Sequence, residues 1–248
     1  MKFVNESIII PVIRETDLLE QVVNIILGTC KHDDICEFIV VVCEKTAKEC
    51  FASIEKMQLK CAELKIPFSI LQQKLPGMGG AVRDAIDVAK GSHTTFTAAD
   101  MAADPNIISQ LIDMAKQYPK DIISGSRYIV RTKKPKEYNT IKYIWNVISQ
   151  VGLKILYRAN LTDFTAAYWI VPTAYLQAIR FEELKHPFAL EGTLKFLRLG
   201  INIHEIPIVQ GAGSESGYLE TLGYIKPAIR CRFISKNKIL KPGAAIDI

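Results

Sequence analysis

Two apolar patterns alternate along the chain. Residues 7–13 (SIIIPVI), 37–43 (EFIVVVC) and 67–71 (PFSIL) are short apolar runs, the pattern of parallel strands buried on both faces. Between them apolar residues return at helical spacing. Leu18, Leu19, Val22, Val23, Ile25 and Ile26 precede Gly28, and Phe51, Ile54, Met57, Leu59 and Cys61 point a helix over 45–64 toward a core. Pro76, Gly77, Gly79 and Gly80 then mark a turn, since glycine and proline are costly inside regular elements. Val82, Ala85, Ile86 and Ala89 follow on one helical face, with Arg83, Asp84, Asp87 and Lys90 on the others; Arg83 and Asp87 stand at i, i+4, the spacing of an ion pair. Gly91-Ser92 stops this helix and 93–97 reads as a strand, with Asp100 and Asp104 at its carboxyl end. The remainder predicts a helix over 106–117, a strand over 121–127, a helix over 141–157, a strand within 160–171, a helix over 188–199 and a strand over 201–209. Strand and helix in alternation predict an α/β fold, a mostly parallel central sheet with helices on both faces.

Composition narrows the classes. With 248 residues there is room for one α/β domain with a large core. The net charge of +5 allows attraction to phosphates or an anionic surface, and with no basic-aromatic stripe it argues against nucleic acid as a partner. Cysteines at 30, 36, 43, 50, 61 and 231 show no metal spacing, and no two of the histidines at 32, 93, 186 and 204 stand at i, i+4. The apolar run at the start is too short for a signal peptide, and no run approaches the roughly 20 residues of a spanning helix. The expectation is a cytoplasmic protein with reduced, mostly buried thiols.

In an open α/β sheet the carboxyl edge of the strands is where ligands bind. Glycines that let backbone amides approach a phosphate, beside carboxylates able to hold a divalent metal, suggest a nucleotide-diphosphate site in 75–105. Other roles stay open. Asp104 also suits a helix N-cap, and Lys74 and Glu44 also suit a solvated surface.

These residues resemble the family 2 glycosyltransferases of the GT-A fold, in particular the polyprenyl-phosphate, dolichol-phosphate mannose synthase-like branch. That family carries a G-x-G-x-A-x-R-x-G turn-helix, a strand ending in D-A-D, and a following D-P. Here the match is Gly77, Gly79, Gly80 or Ala81, and Arg83, then Ala98-Ala99-Asp100 and Asp104-Pro105; Ala98 replaces the first aspartate. Pro11 and Glu15 match the loop after the first strand, Glu44 stands beside the position of a base-reading acid, and 121–127 (DIISGSR) matches D-V-V-x-G-S-R. Asp163 and Glu191 match further carboxylates, and Ser216 is kept where a basic arginine and lysine are lost.

The resemblance covers about 7–218 and implies a GT-A domain over 1–218, followed by a helix and basic tail over 219–248. It implies a donor site of Pro11, Glu15, Glu44, Lys74, Gly77, Gly79, Arg83, Ala98 and Asp100, with Asp100 as the ligand of Mg2+ or Mn2+. It implies an acceptor side of Ser126, Arg127 and Ser216, and Asp163 and Glu191 as acceptor contacts or catalytic base, against buried structural roles for both. The implied activity is transfer of a sugar from a nucleotide-diphosphate donor to a sugar, glycan or lipid-phosphate acceptor. The basic loop at 128–138 and the apolar helix after it are either a core helix with a solvated loop or a peripheral membrane contact over 128–157, at the inner face of the membrane. A GT-A domain that binds nucleotide or glycan without turnover is the alternative. A sugar-phosphate nucleotidyltransferase is a lower one, because its glycine-rich signature would follow the first strand.

Overall fold

The structure is a computed structural model that describes residues 1–101, 104–129, 140–208 and 223–246, with backbone only for 140–145. Seven strands form one sheet: β1 (Glu6–Pro11), β2 (Ile35–Val42), β3 (Phe68–Gln72), β4 (His93–Phe96), β5 (Ile122–Ser126), β6 (Trp169–Pro172) and β7 (Ile203–Pro207). Their order is β3-β2-β1-β4-β6-β5-β7. Every pairing is parallel except those of β6, which runs antiparallel to both β4 and β5. The chain winds outward from β1 to β3 and then crosses back to β4 on the other side of β1. That reversal opens a crevice above the carboxyl ends of β1 and β4.

The helices are α1 (Asp17–Thr29), α2 (Cys50–Glu63), α3 (Gly77–Ile86), α4 (Ile107–Gln117), α5 (Thr140–Tyr157), α6 (Thr173–Ala178), α7 (Phe188–Leu199) and α8 (Ile225–Phe233). Successive strand residues face opposite layers. Ile8 and Ile10 of β1 pack with Val22 and Ile26 of α1, Ile54 of α2 and Leu111 of α4, while Ile9 packs with Val82 and Ala85 of α3, Tyr175 of α6 and Phe188 of α7. A third cluster joins Leu153 of α5, Leu190 and Leu194 of α7, and Ala228 and Cys231 of α8.

The structure departs from the pattern in three places. Helix α2 starts at Cys50, because Thr46 closes the preceding loop by accepting from Cys43 N (2.9 Å) and donating to Val12 O (2.8 Å). Its buried stripe is Cys50, Ile54, Met57 and Cys61, so Phe51 and Leu59, expected in the core, stand 44% and 63% exposed. The strand expected within 160–171 is confined to Trp169–Pro172; 160–168 is a loop built on polar side chains. The glycine segment is the first turn of α3 rather than a free turn before it.

Candidate functional site

A cavity of about 1070 Å³ lies over the carboxyl edge of the sheet. One end is walled by Pro11, Val12, Ile13 and Glu15 after β1, by Cys43, Glu44 and Lys45 after β2, and by Gln73, Lys74 and Gly77 between β3 and α3. The floor is Phe96, Ala98, Ala99 and Asp100 at the end of β4, and Arg127 stands at the end of β5. The far end runs between α5, α7 and α8, along Gln150, Leu153, Leu156, Leu190, Ala228 and Ile229. The charged lining residues gather at the end beside β1 and β2, while the end between α5, α7 and α8 sets Leu153, Leu156, Leu190 and Ile229 beside the uncharged Asn146, Ser149 and Gln150.

Pro11, Glu15, Glu44, Lys74, Gly77, Ala98, Asp100 and Arg127, singled out from sequence, all meet in this cavity. Some are already engaged. Glu15 Oε2 accepts from the Ile13 and Arg14 amides (2.7 and 2.8 Å), which fixes the loop after β1. The amides of Lys74 and Leu75 donate to Asp84 Oδ2 (2.6 and 2.9 Å), and Gln73 Nε2 donates to Gly77 O (2.7 Å), so the approach to α3 is tied from both sides.

The glycines allow close packing. Gly77 has φ +79°, and a Cβ there would stand 2.3 Å from Leu184 O. A Cβ on Gly79 would stand 2.8 Å from Phe188 Cβ and 2.9 Å from Lys185 O, and one on Gly80 2.5 Å from Leu75 O. Only glycine lets α3 seat against 183–188. Gly79 is therefore buried beneath the cavity wall, and Arg83, half-buried on α3, does not line the cavity. The expected Arg83–Asp87 pair gives way to Asp87 with Lys241 (3.0 Å). Asp104 braces the turn that leads into α4, where its Oδ1 accepts from Asn106 N (3.0 Å) and Asn106 Nδ2 (2.7 Å), while Asn106 holds the N-cap position.

Asp163 and Glu191 are both sealed from the cavity. Asp163 is 1% exposed and takes Arg127 Nε and Nη2 bidentately (2.7 and 2.8 Å), together with the Arg127 and Thr165 amides. Burial alone would raise its pKa, but the Arg127 charge and these donors hold it below the ordinary carboxylate value. Glu205 of β7 sets this loop by accepting from Thr162 N (2.7 Å) and Asp163 N (2.8 Å). Arg127 is thereby clamped from behind while its flank faces the cavity, with Thr165 Oγ1 accepting from Nη2 (2.7 Å).

Glu191 is fully buried. It accepts from the Glu182 and Glu183 amides (3.0 and 2.8 Å) and pairs with Lys195 (2.7 Å) and Arg230 (3.0 Å). It anchors the 182–185 loop on which the glycine turn sits. Ser126, expected on the acceptor side, is also buried; its Oγ is 2.6 Å from Thr162 Oγ1. Ser216 lies outside the described residues, as do Arg131, Lys133, Lys134 and Lys136. Glu205, Gln150, Thr165 and His186 were not singled out as site residues. His186 lines the cavity, and its place just before the helix expected over 188–199 was the signal available.

The donor set is thin for a resident metal. No three His, Cys, Asp or Glu side chains among the described residues converge as a metal site. Asp100 on the floor suits an ion that arrives with substrate phosphates and keeps several waters.

Solved structures share this architecture. Glucosyl-3-phosphoglycerate synthase from Mycobacterium tuberculosis, in complex with Mn2+, UDP and phosphoglyceric acid, aligns with a TM-score of 0.66 at 13% identity, over 94% of this chain and 80% of that one. The same synthase with Mg2+ and UDP aligns with a TM-score of 0.63 at 14% identity, over 92% and 79%. At such identities the likeness carries the fold, which is the GT-A fold. The sequence model described as Glycosyl transferase family 2 matches residues 7–180, well over half the chain, and the chain belongs to that family.

Proposed function

We propose that this family 2 glycosyltransferase moves a sugar from a nucleoside-diphosphate donor to an acceptor with a phosphate head and an apolar body, such as a polyprenyl phosphate. The observation that carries the reading is one continuous cavity, with Glu15, Glu44, Lys74 and Asp100 at one end, Arg127 between, and a largely apolar lining without charged side chains between α5, α7 and α8. The nucleotide would lie against the loops after β1 and β2. Asp100 would hold Mg2+ or Mn2+ together with the donor phosphates, and the ion would neutralise charge on the departing nucleoside diphosphate. Arg127, oriented by Asp163, would set its positive charge beside the acceptor phosphate. A phosphate monoester is largely ionised at neutral pH and needs no general base, which suits a site whose Asp163 and Glu191 are sealed by donors. The phosphoglyceric acid bound by the mycobacterial synthase is also a phosphorylated acceptor, but it has no apolar body to fill the far end.

Ala98 favours a second reading, a GT-A domain that binds nucleotide or glycan without turnover, because it replaces the motif's other carboxylate. Calorimetry and thermal shift with UDP, GDP and CDP and their sugars, with and without Mg2+ or Mn2+, separate the two. A transferase gives metal-dependent stabilisation by one nucleotide, since a ligand of the folded state raises the melting temperature by mass action. Asp100→Ala abolishes that metal dependence. No stabilisation by any nucleotide, with metal affinity appearing only in Ala98→Asp, moves the assignment to the second reading with a glycan as the ligand, and nucleotide binding with no sugar transfer moves it there with the nucleotide as the ligand.

A further inference from the structure

The apolar end of the cavity opens between α5 and α8, and what surrounds that opening is unusual for a surface. Ile148, Val151 and Ile155 form one exposed stripe on α5; Ile225, Ile229 and Phe233 form another on α8 at i, i+4, i+8. Ile155 is 72% exposed and Phe233 77%. The helices lie side by side, tied by Tyr157 Oη donating to Ala228 O (2.7 Å) and Arg232 Nε donating to Leu156 O (2.9 Å). Ile225 and Ile229 belong both to the exposed stripe and to the cavity lining. The apolar surface therefore runs without a break from the outside of α8 into the cavity.

The charge around these stripes is one-sided. Residues 140–160 hold three Lys or Arg and 223–246 hold six, with no Asp or Glu in either. The whole chain carries a net charge of +5, so the rest of it is net negative. Lys154 and Arg158 at the end of α5, and Lys226, Lys236 and Lys238 on and after α8, are exposed. A large apolar patch with a cationic border fits a surface that offers hydrocarbon beneath anionic headgroups. A water-filled partner face would leave the isoleucines and Phe233 uncovered, and no helix of the described residues is long and apolar enough to cross a membrane.

We propose that α5 and α8 together form a docking face for an anionic lipid bilayer, which holds the apolar mouth of the cavity against the lipid. The protein lies on the membrane through these helices, with Ile155 and Phe233 inserted and the lysines at headgroup level. The purpose of this face, delivery of a lipid-borne acceptor, rests on the transferase reading; the docking itself does not.

The test is co-sedimentation of the full chain with vesicles of phosphatidylcholine alone and of phosphatidylcholine mixed with phosphatidylglycerol. The expected result is capture by the mixed vesicles, weakened by added salt, and little capture by the neutral ones. Ile155→Ser with Phe233→Ser lowers that capture about tenfold or more, because two inserted side chains are lost. Neither residue lines the cavity, so melting temperature and nucleotide binding stay at the wild-type level. Lys226→Glu with Lys236→Glu lowers capture by the mixed vesicles only. Absence of capture by mixed vesicles, or unchanged capture of both double variants, overturns the proposal. So does a wild-type dimer that ignores vesicles and falls to monomer in Ile155→Ser/Phe233→Ser, which assigns the face to a second copy. Nucleotide binding is read on the same samples. Capture without nucleotide binding keeps the docking face and removes the transferase reading, and the reverse result does the opposite.

Discussion

Arg127 shows how a motif residue becomes a tool only through neighbours that the motif does not name. Its guanidinium is mostly buried, and its reach into the cavity is fixed by Asp163, which Glu205 in turn fixes from β7. Asp163→Asn keeps the shape but removes the charge opposite Arg127, leaving a partly buried cation with a neutral partner. Breaking one side of a buried pair costs roughly 3 kcal/mol, and a lower urea midpoint at neutral pH is the expected result. A positioning role also predicts that Asp163→Asn, where still folded, binds the nucleotide donor with wild-type metal dependence and loses affinity for a phosphorylated acceptor. A catalytic base would instead leave both affinities in place and remove turnover alone. The resemblance to family motifs singled out Asp163 and Arg127. It did not show that they bind each other, because a contact across 36 positions is set by the sheet order.

At the scale of elements, alternating apolar runs and helical stripes were enough to read the α/β class, the parallel strands and most of the helices. Legibility failed where tertiary contacts override local pattern. Phe51 and Leu59 lie off the Cys50–Ile54–Met57–Cys61 stripe, so they face water despite being apolar. Residues 160–168 have strand-like composition but are held as a loop by Glu205, Gln150 and Arg127. The glycines were the strongest signal, and the structure adds a packing role that the sequence did not show. They suggested a phosphate cradle, whereas Gly79 and Gly80 are filled against protein atoms. Gly79→Ala separates these roles, because its Cβ would meet Lys185 O at 2.9 Å, a backbone atom that cannot swing away. Overpacking of this kind costs roughly 1–3 kcal/mol. The expected outcome is a lowered melting temperature with or without nucleotide. A phosphate cradle would instead show normal stability and weakened UDP binding. The wall of the donor end is thus held by a chain of contacts that starts far off in α8: Arg230 pairs with Glu182, Glu183 and Glu191, Glu191 holds the 182–185 loop, and Leu184 O accepts from Gly80 N (3.2 Å).

The whole molecule divides its polar groups between the two edges of the sheet. The carboxyl edge carries the cavity, while the amino edge seals titratable groups in the core, and these set how stability follows pH. Glu6 at the start of β1 is fully buried; Oε2 accepts from Thr95 Oγ1 (2.7 Å) and Oε1 has no hydrogen-bond partner among the described residues. Burial pushes its pKa up from 4.5 to about 8, against the Thr95 hydrogen bond and with a small addition from Asp34. Below pH 4.5 both folded and unfolded chains hold this proton, and Glu6 adds no pH dependence. As pH rises from 4.5 through 8, the unfolded chain releases the proton and the folded chain keeps it, so stability falls across that window. A shift of this size corresponds to roughly 5 kcal/mol, complete above pH 8. His93 acts on the acid side. Burial lowers its pKa to about 4, so the unfolded chain takes up a proton below pH 6.5 while the folded chain does not, and stability also falls as pH drops from 6.5 through 4. Glu6→Gln isolates the first effect, because the amide fills the same space and still accepts from Thr95 without an ionisable proton. Urea midpoints near pH 5 should be similar for the two proteins, and near pH 8.5 the variant should be clearly the more stable, with its acid-side decline through His93 unchanged. Equal midpoints at both pH values would mean that Glu6 ionises in the folded state as it does in water, and that water reaches the amino edge of β1.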